Sequence, residues 1–195
     1  MAKKPQKKKY FHVEIPLIRE DYEVLAYLLE DLDNKSIKMD MTRKLKGKSM
    51  NLIFKIKVDN DKAIAHPKKL ILMPYFIKHM LRKNISYVED SFKAETKESN
   101  IIIKPFLMTR KTVSRAVRRT IRNSARNWIM DYCKTKNDDE LFEDILSGDL
   151  QKPLSIKLKK IYPLALCEIR VLEIKKPLEK APAKSKTKTT TKKEE

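Results

Sequence analysis

Arg115, Arg118, Arg119, Arg122 and Arg126 recur at steps of one, three and four residues, and Arg110 and Lys111 precede them. Between Arg110 and Tyr132 six arginines and Lys111 face a single acid, Asp131, for a net +6. On a helix, at roughly 100° per residue, these five arginines fall within about 100° of one another. Val113, Val117, Ile121 and Trp128 cluster on a different arc, which predicts a buried stripe beside a guanidinium stripe. Planar guanidinium forks match phosphate oxygens and give affinity and register more than base readout. A charge run is usually a solvated face. Here acidic partners at i±4 are missing, and like charges on one face destabilise a helix unless something neutralises them. The pattern therefore points to a polyanion, with nucleic acid as the partner.

Weaker basic patches accompany the stripe. Arg43, Lys44, Lys46 and Lys48 lie between two strand candidates, and Lys3, Lys4, Lys7, Lys8 and Lys9 crowd the beginning of the chain. Tyr10, next to that run, is of a type that stacks on bases, although a tyrosine on a strand more often packs.

Other chemistry finds no constellation. His12, His66 and His79 are scattered over strand, loop and helix patterns, with no partner at metal-ligand spacing. Cys133 and Cys167 form no CxxC or zinc spacing and read as reduced core thiols of an intracellular protein. Two glycines, Gly47 and Gly148, cannot build a phosphate-cradling loop. Asp138, Asp139, Glu140, Glu143 and Asp144 evoke a two-metal nuclease, but acids at a helix start are explained by the helix dipole. No catalytic residue, metal or cofactor is expected.

Composition bounds the rest. The 195 residues carry 45 Lys+Arg against 26 Asp+Glu, a formal +19, and 41% are hydrophobic, which excludes wholesale disorder. The longest apolar run, residues 70–77, is interrupted by Pro74 and is far short of the roughly 20 residues a membrane helix needs. Nothing at the start resembles a secretory signal. Residues 1–9 hold +5 and residues 175–195 another +5, leaving +9 for the middle. The expected organisation is a basic arm over 1–9, one domain over 10–177, and a lysine-rich tail over 178–195, disordered for want of large apolar groups.

The elements follow from periodicity. Phe11, Val13, Ile15 and Leu17 alternate with polar neighbours, as do Ile37, Met39 and Met41, then Phe54, Ile56 and Val58 before a turn at Asp59-Asn60-Asp61. Further strands are expected over 62–66, 85–95, 100–108 and 165–174, with Pro105 marking an edge or a bulge. In the last strand Cys167, Ile169 and Val171 should face the core, with Glu168 and Arg170 opposite. Helices are expected over 21–32, 75–82, 109–133, 138–147 (capped by Gly148) and 151–161. The fold class is α+β: a curled, mostly antiparallel sheet closing into a partial barrel, with a long basic helix, two shorter C-terminal helices and a returning final strand.

The strings also carry a likeness. Ile161-Tyr162-Pro163-Leu164, then Glu168-Ile169-Arg170 and Lys175-Lys176-Pro177, resemble the C-terminal signature of the archaeal and eukaryotic small-subunit ribosomal protein family S-three-a-e. Glu140 to Gly148, Ile103-Lys104-Pro105-Phe106 running to Thr109-Arg110-Lys111, and Lys7 to Pro16 are similar to successive segments of it. The likeness spans roughly residues 7–177, while residues 20–35 depart from it and are expected as a helix special to this chain. It implies a structural constituent of the small ribosomal subunit, cytoplasmic and ribosome-bound, on the platform near the messenger exit. Its implied partners are the 3′ region of small-subunit rRNA, neighbouring small-subunit proteins and messenger RNA near the exit, with no membrane. Residues alone leave two alternatives: a free-standing chromatin-like or regulatory nucleic-acid-binding protein, and the metal-dependent nuclease.

Overall fold

A computed structural model describes residues 7–45, 47–59 and 62–177. Strands β1 (Lys9–Ile15) and β2 (Glu20–Ala26) form an antiparallel hairpin with every residue of β1 in register. The turn between them closes through Ile18 and Arg19 N–H donating to the Ile15 carbonyl, with Arg19 left-handed at φ 56. The helix expected over 21–32 is not formed: its first half is β2 and only Glu30–Leu32 makes a 3-10 turn. Strand pairing accounts for the difference. The free edge of β1 offers seven ladder positions, which draw residues 20–26 into a strand. Val24 and Ala26 turn inward while Leu25 and Leu28 remain exposed. The helix-like leucine spacing is incidental.

Strands β3 (Ser36–Asp40), β4 (Met50–Asp59) and β5 (Lys62–Leu72) build an antiparallel meander. β5 extends well past the expected end at residue 66. It does so because Pro67 sits at a bulge: Phe54 pairs with Pro67 and Ile53 with Lys69, so Lys68 is the extra residue and the missing N–H breaks no ladder. The turn residues Asn60 and Asp61 lie outside the described residues. Helix α1 (Pro74–Met80) follows with proline in its first turn, as expected.

The single strand expected over 85–95 is two, β6 (Tyr87–Glu89) and β7 (Phe92–Glu95), both on one edge of β8 (Ser99–Thr109). The interruption at Asp90 and Ser91 faces Lys104 and Pro105, and on the opposite edge of β8 the register with β9 (Leu164–Pro177) also shifts at Lys104/Pro105. Proline has no N–H to give to either neighbour, and the irregular ladders at this point match its missing donor and the bulge beside it. Pro105 marks a bulge on a central strand.

β9 runs antiparallel to β8 and also to β5, while β1 contributes one parallel contact, Val13 and Glu14 against Ala63 and Ile64. Nine strands thus make one mostly antiparallel sheet. It does not close into a barrel: among the described residues β2 pairs only with β1 and β3 only with β4, leaving open edges. Helices α2 (Arg115–Thr135), α3 (Asp138–Ser147) and α4 (Gln151–Lys159) lie against it, α2 over β6 and β7, α3 on β5 and α4 on β9. Gly148 ends α3 in the left-handed region at φ 84, the expected cap. The core between the layers is one continuous cluster, with Phe54, Phe106 and Phe142 its largest fully buried side chains.

The inward and outward faces of β9 depart from simple alternation. Glu168 is 4% exposed, whereas Cys167 and Val171 are half-buried. Arg170, the extra residue opposite the Lys104–Pro105 step, turns its guanidinium to Glu89 at 3.0 Å. Glu168 is accommodated because Lys48 Nζ lies 2.6 Å from its carboxylate and Gln151 Nε2 donates to it at 3.4 Å.

Candidate nucleic-acid interface

The basic helix begins later than expected. Thr109 ends β8 with its hydroxyl accepting from Ser86 N–H and its single proton within reach of the Lys111 carbonyl at 2.7 Å and the Ser86 carbonyl at 2.8 Å, and the chain bends at Arg110 and Lys111 before the helix starts. Arg110 and Lys111 are therefore exposed on the connector rather than on the helix. Ser114 caps α2, its hydroxyl accepting from Val117 N–H at 3.4 Å.

One face of α2 buries Ile121, Ala125, Ile129 and Cys133, spaced by four residues, with Val117 and Trp128 half-buried beside them. Trp128 stacks on Tyr132, with ring centroids 5.1 Å apart, and the Tyr132 hydroxyl donates to Asp144 of α3 at 2.8 Å. Burial and that hydrogen bond raise the Tyr132 pKa well above its ordinary value. These contacts fix the rotation of α2, and Arg115, Arg118, Arg119, Arg122 and Arg126 consequently all face solvent.

None of the five arginines has a carboxylate partner among the described residues. Arg126 is engaged by the protein, its guanidinium 5.5 Å from the centre of the Phe92 ring. Arg115, Arg118 and Arg119 occupy the first two turns, and no acid stands in the first turn. That is the positive end of the helix dipole, where cations are disfavoured and anions favoured. The stripe is thus unfavourable for the isolated helix by mutual repulsion, and Arg115 in the first turn also by the dipole. A polyanion on this face relieves both.

The helix face borders a groove of about 830 Å³ lined by Tyr87 of β6 together with Arg115, Arg118, Arg119 and Arg122. Two neighbouring depressions share part of its lining, one bordered by Ile85, Tyr87, Arg118 and Arg122 and the other by Glu89, Lys104, Arg122 and Arg170. Arg122 borders all three. Tyr87 was not among the sequence candidates. A tyrosine at the head of a short strand gives no sign in sequence that it stands beside a helix nearly 30 residues later.

The other basic candidates are less free. Lys44 Nζ lies 2.5 Å from Glu20, and Lys48 is tied to Glu168, while Arg43 is exposed and Lys46 lies outside the described residues. Lys7, Lys8 and Lys9 are exposed, and Lys9 already belongs to β1. Lys8 Nζ sits 5.4 Å from the centre of the Tyr27 ring. Lys3, Lys4 and the tail over 178–195 lie outside the described residues. Tyr10 is exposed, opposite Leu25 in the hairpin.

Three of the five carboxylates that evoked a nuclease serve structural partners, while Asp139 and Glu143 are exposed. Asp138 is buried and accepts from the Thr96 hydroxyl, joining the start of α3 to the turn between β7 and β8. Glu140 accepts from Asn137 N–H at the helix start, and Asp144 is held by Tyr132 and by Lys136 at 3.3 Å. Among the described residues no three His, Cys, Asp or Glu side chains are grouped to hold a metal. No described helix is long and apolar enough to cross a membrane. Burial pushes the Cys133 and Cys167 thiols up to about 12.

An uncompensated guanidinium face on a mixed α+β scaffold is equipped to hold a phosphate backbone. Comparison with known proteins gives the class: the profile of the Ribosomal S3Ae family matches residues 3–177, and the chain belongs to that family of ribosomal proteins. It is 26% identical over 173 residues to the small ribosomal subunit protein eS1 of Nanoarchaeum equitans, covering 85% of this chain and 87% of that one. It is 28% identical over 102 residues to the eS1 protein of Methanothermobacter thermautotrophicus, covering 50% of this chain and 52% of that one.

Proposed function

We propose that this chain is a structural constituent of the small ribosomal subunit, anchored on small-subunit rRNA by the exposed face of α2. The observation that carries this reading is the row of five exposed arginines without a carboxylate partner among the described residues, held outward by a buried stripe on the same helix. Family membership and relatives named as small-subunit proteins support it. The body over 10–177 supplies the RNA-binding surface, with Arg110 and Lys111 at the edge of the stripe and Arg43, Lys44, Lys46 and Lys48 as a lesser patch. Lys3, Lys4, Lys7, Lys8, Lys9 and the lysines of 178–195 add contacts that orient on phosphates.

In this reading the protein is cytoplasmic and ribosome-bound, and it performs no catalysis and needs no cofactor. It sits on the 3′ region of the rRNA on the platform near the messenger exit, beside neighbouring small-subunit proteins and within reach of messenger RNA. Sedimentation of a lysate through a sucrose gradient is the test. The chain should travel with small subunits and leave them only at high salt, and ultraviolet crosslinks from α2 should fall in the 3′ region of the rRNA. A chain that stays at the top of the gradient while binding isolated duplexes tightly would instead be a free-standing nucleic-acid-binding protein.

A further inference from the structure

The groove beside the arginine stripe has an aromatic wall that phosphate binding alone does not require. Tyr87 is 52% exposed, yet its ring is not loose. It packs on the fully buried Phe106 with centroids 6.1 Å apart and planes 25° from parallel. The strand pairing that sets this is Tyr87 opposite Met108 and Glu89 opposite Phe106, so Tyr87 and Phe106 share a face of the sheet. Tyr87 also lines the groove together with Arg115, Arg118, Arg119 and Arg122 of α2. A rigid, amphipathic ring beside a row of guanidinium groups joins the two elements of single-strand recognition, a stacking platform and a backbone clamp.

We propose that this groove takes an unpaired nucleotide of RNA, its base stacked on Tyr87 and its flanking phosphates on Arg118 and Arg122. This rests on the α2 face being an RNA face. It adds that the bound RNA is single-stranded or bulged at this point, because a base inside a duplex cannot reach the ring. Glu89, which borders the neighbouring depression with Arg122, has its carboxylate engaged by Arg170 and so leaves Arg118 and Arg122 to the phosphates. The groove volume, about 830 Å³, exceeds what a lone base needs and leaves room for the adjoining backbone.

The test compares binding of the full chain to a labelled oligoadenylate and to the duplex it forms with its complement. Tyr87→Leu keeps an apolar cover over Phe106 without a π face, and Tyr87→Phe keeps the ring without the hydroxyl. Circular dichroism establishes that each variant is folded. Tyr87→Leu should weaken single-strand binding by roughly ten- to a hundredfold, leave the duplex unaffected, and leave the salt dependence unchanged, since stacking releases no counterions. Tyr87→Phe should bind like the parent, and 2-aminopurine in the oligomer should be quenched by the parent and Tyr87→Phe but not by Tyr87→Leu.

Unchanged single-strand binding by Tyr87→Leu overturns the stacking assignment, as does an equal loss for strand and duplex. If Arg118→Gln with Arg122→Gln still lowers the salt dependence in that case, the RNA face survives and only the nucleotide site is wrong. If neither set of changes alters binding, the RNA face itself is refuted.

Discussion

Replacing Arg118 and Arg122 together with glutamine separates binding from folding on one helix face. Both side chains are exposed and without a carboxylate partner among the described residues, so no ion pair within the protein is lost. Glutamine has nearly the helix propensity of arginine. The change removes like-charge neighbours at i±3 and i±4, namely Arg115–Arg118, Arg118–Arg122, Arg119–Arg122 and Arg122–Arg126. With a few tenths of a kcal/mol per pair, the variant should be more stable than the parent by about 1 kcal/mol at low salt. RNA binding should move the other way. Five phosphate contacts contribute a slope of roughly −3.5 on a single strand and −4.5 on a duplex in log affinity against log salt, and losing two flattens it by roughly 1.4–1.8. Fluorescence anisotropy across a salt series reads the slope, and urea unfolding reads the stability. Arg→Lys at both positions should keep the slope while weakening binding, because the bidentate fork is lost. Ile121→Ala, from the buried arc, should cost about 2–4 kcal/mol of stability and leave the slope of the folded protein alone. A glutamine double variant with the parental slope would make the stripe a solvated face and refute the reasoning.

Lys48→Ala strands the buried Glu168 carboxylate, and with Lys48 half exposed to water the expected loss is about 1–3 kcal/mol in urea unfolding, most of it recovered by adding Glu168→Gln. Gly148→Ala should cost about 1–2 kcal/mol, because a new Cβ meets only Lys152 Cε at 3.7 Å and the penalty is the left-handed backbone. The thiols of Cys133 and Cys167 are raised by burial from 9.0 to about 12, so native protein should resist iodoacetamide near neutral pH and react quickly once unfolded. The same shift favours the fold fully below pH 9 and withdraws that support as pH rises toward 12, since only the unfolded chain ionises in that window. Replacing both cysteines with alanine should reduce the fall in stability across it. Asp138→Asn weakens the link to Thr96 as well as the dipole interaction, and should cost about 1–2 kcal/mol, against a few tenths for exposed Asp139→Asn.

Sequence alone determined much of this protein because local periodicity and local chemistry are written in neighbouring residues. The alternation from Phe11 to Ile15 gave β1, Pro74 opened α1, the acids from Asp138 and the cap Gly148 bounded α3, and the arginine spacing defined one face of α2 before any fold was known. Family resemblance was legible for the same reason, as it rests on strings in order. Pairing and proximity were decided only in three dimensions. The leucines of 21–32 have helical spacing, yet the open edge of β1 drew residues 20–26 into a strand, because a registered ladder outweighs a weak local preference. Thr109 is tied to Ser86 and the chain bends after it, so α2 starts only at Arg115 and Arg110 and Lys111 are off the helix. Lys48 looked free until β9 brought Glu168 beneath it. Tyr87 gained its place beside the arginines only because β6 pairs with β8 and α2 packs over β6 and β7, a juxtaposition set by tertiary packing rather than by anything adjacent in the chain.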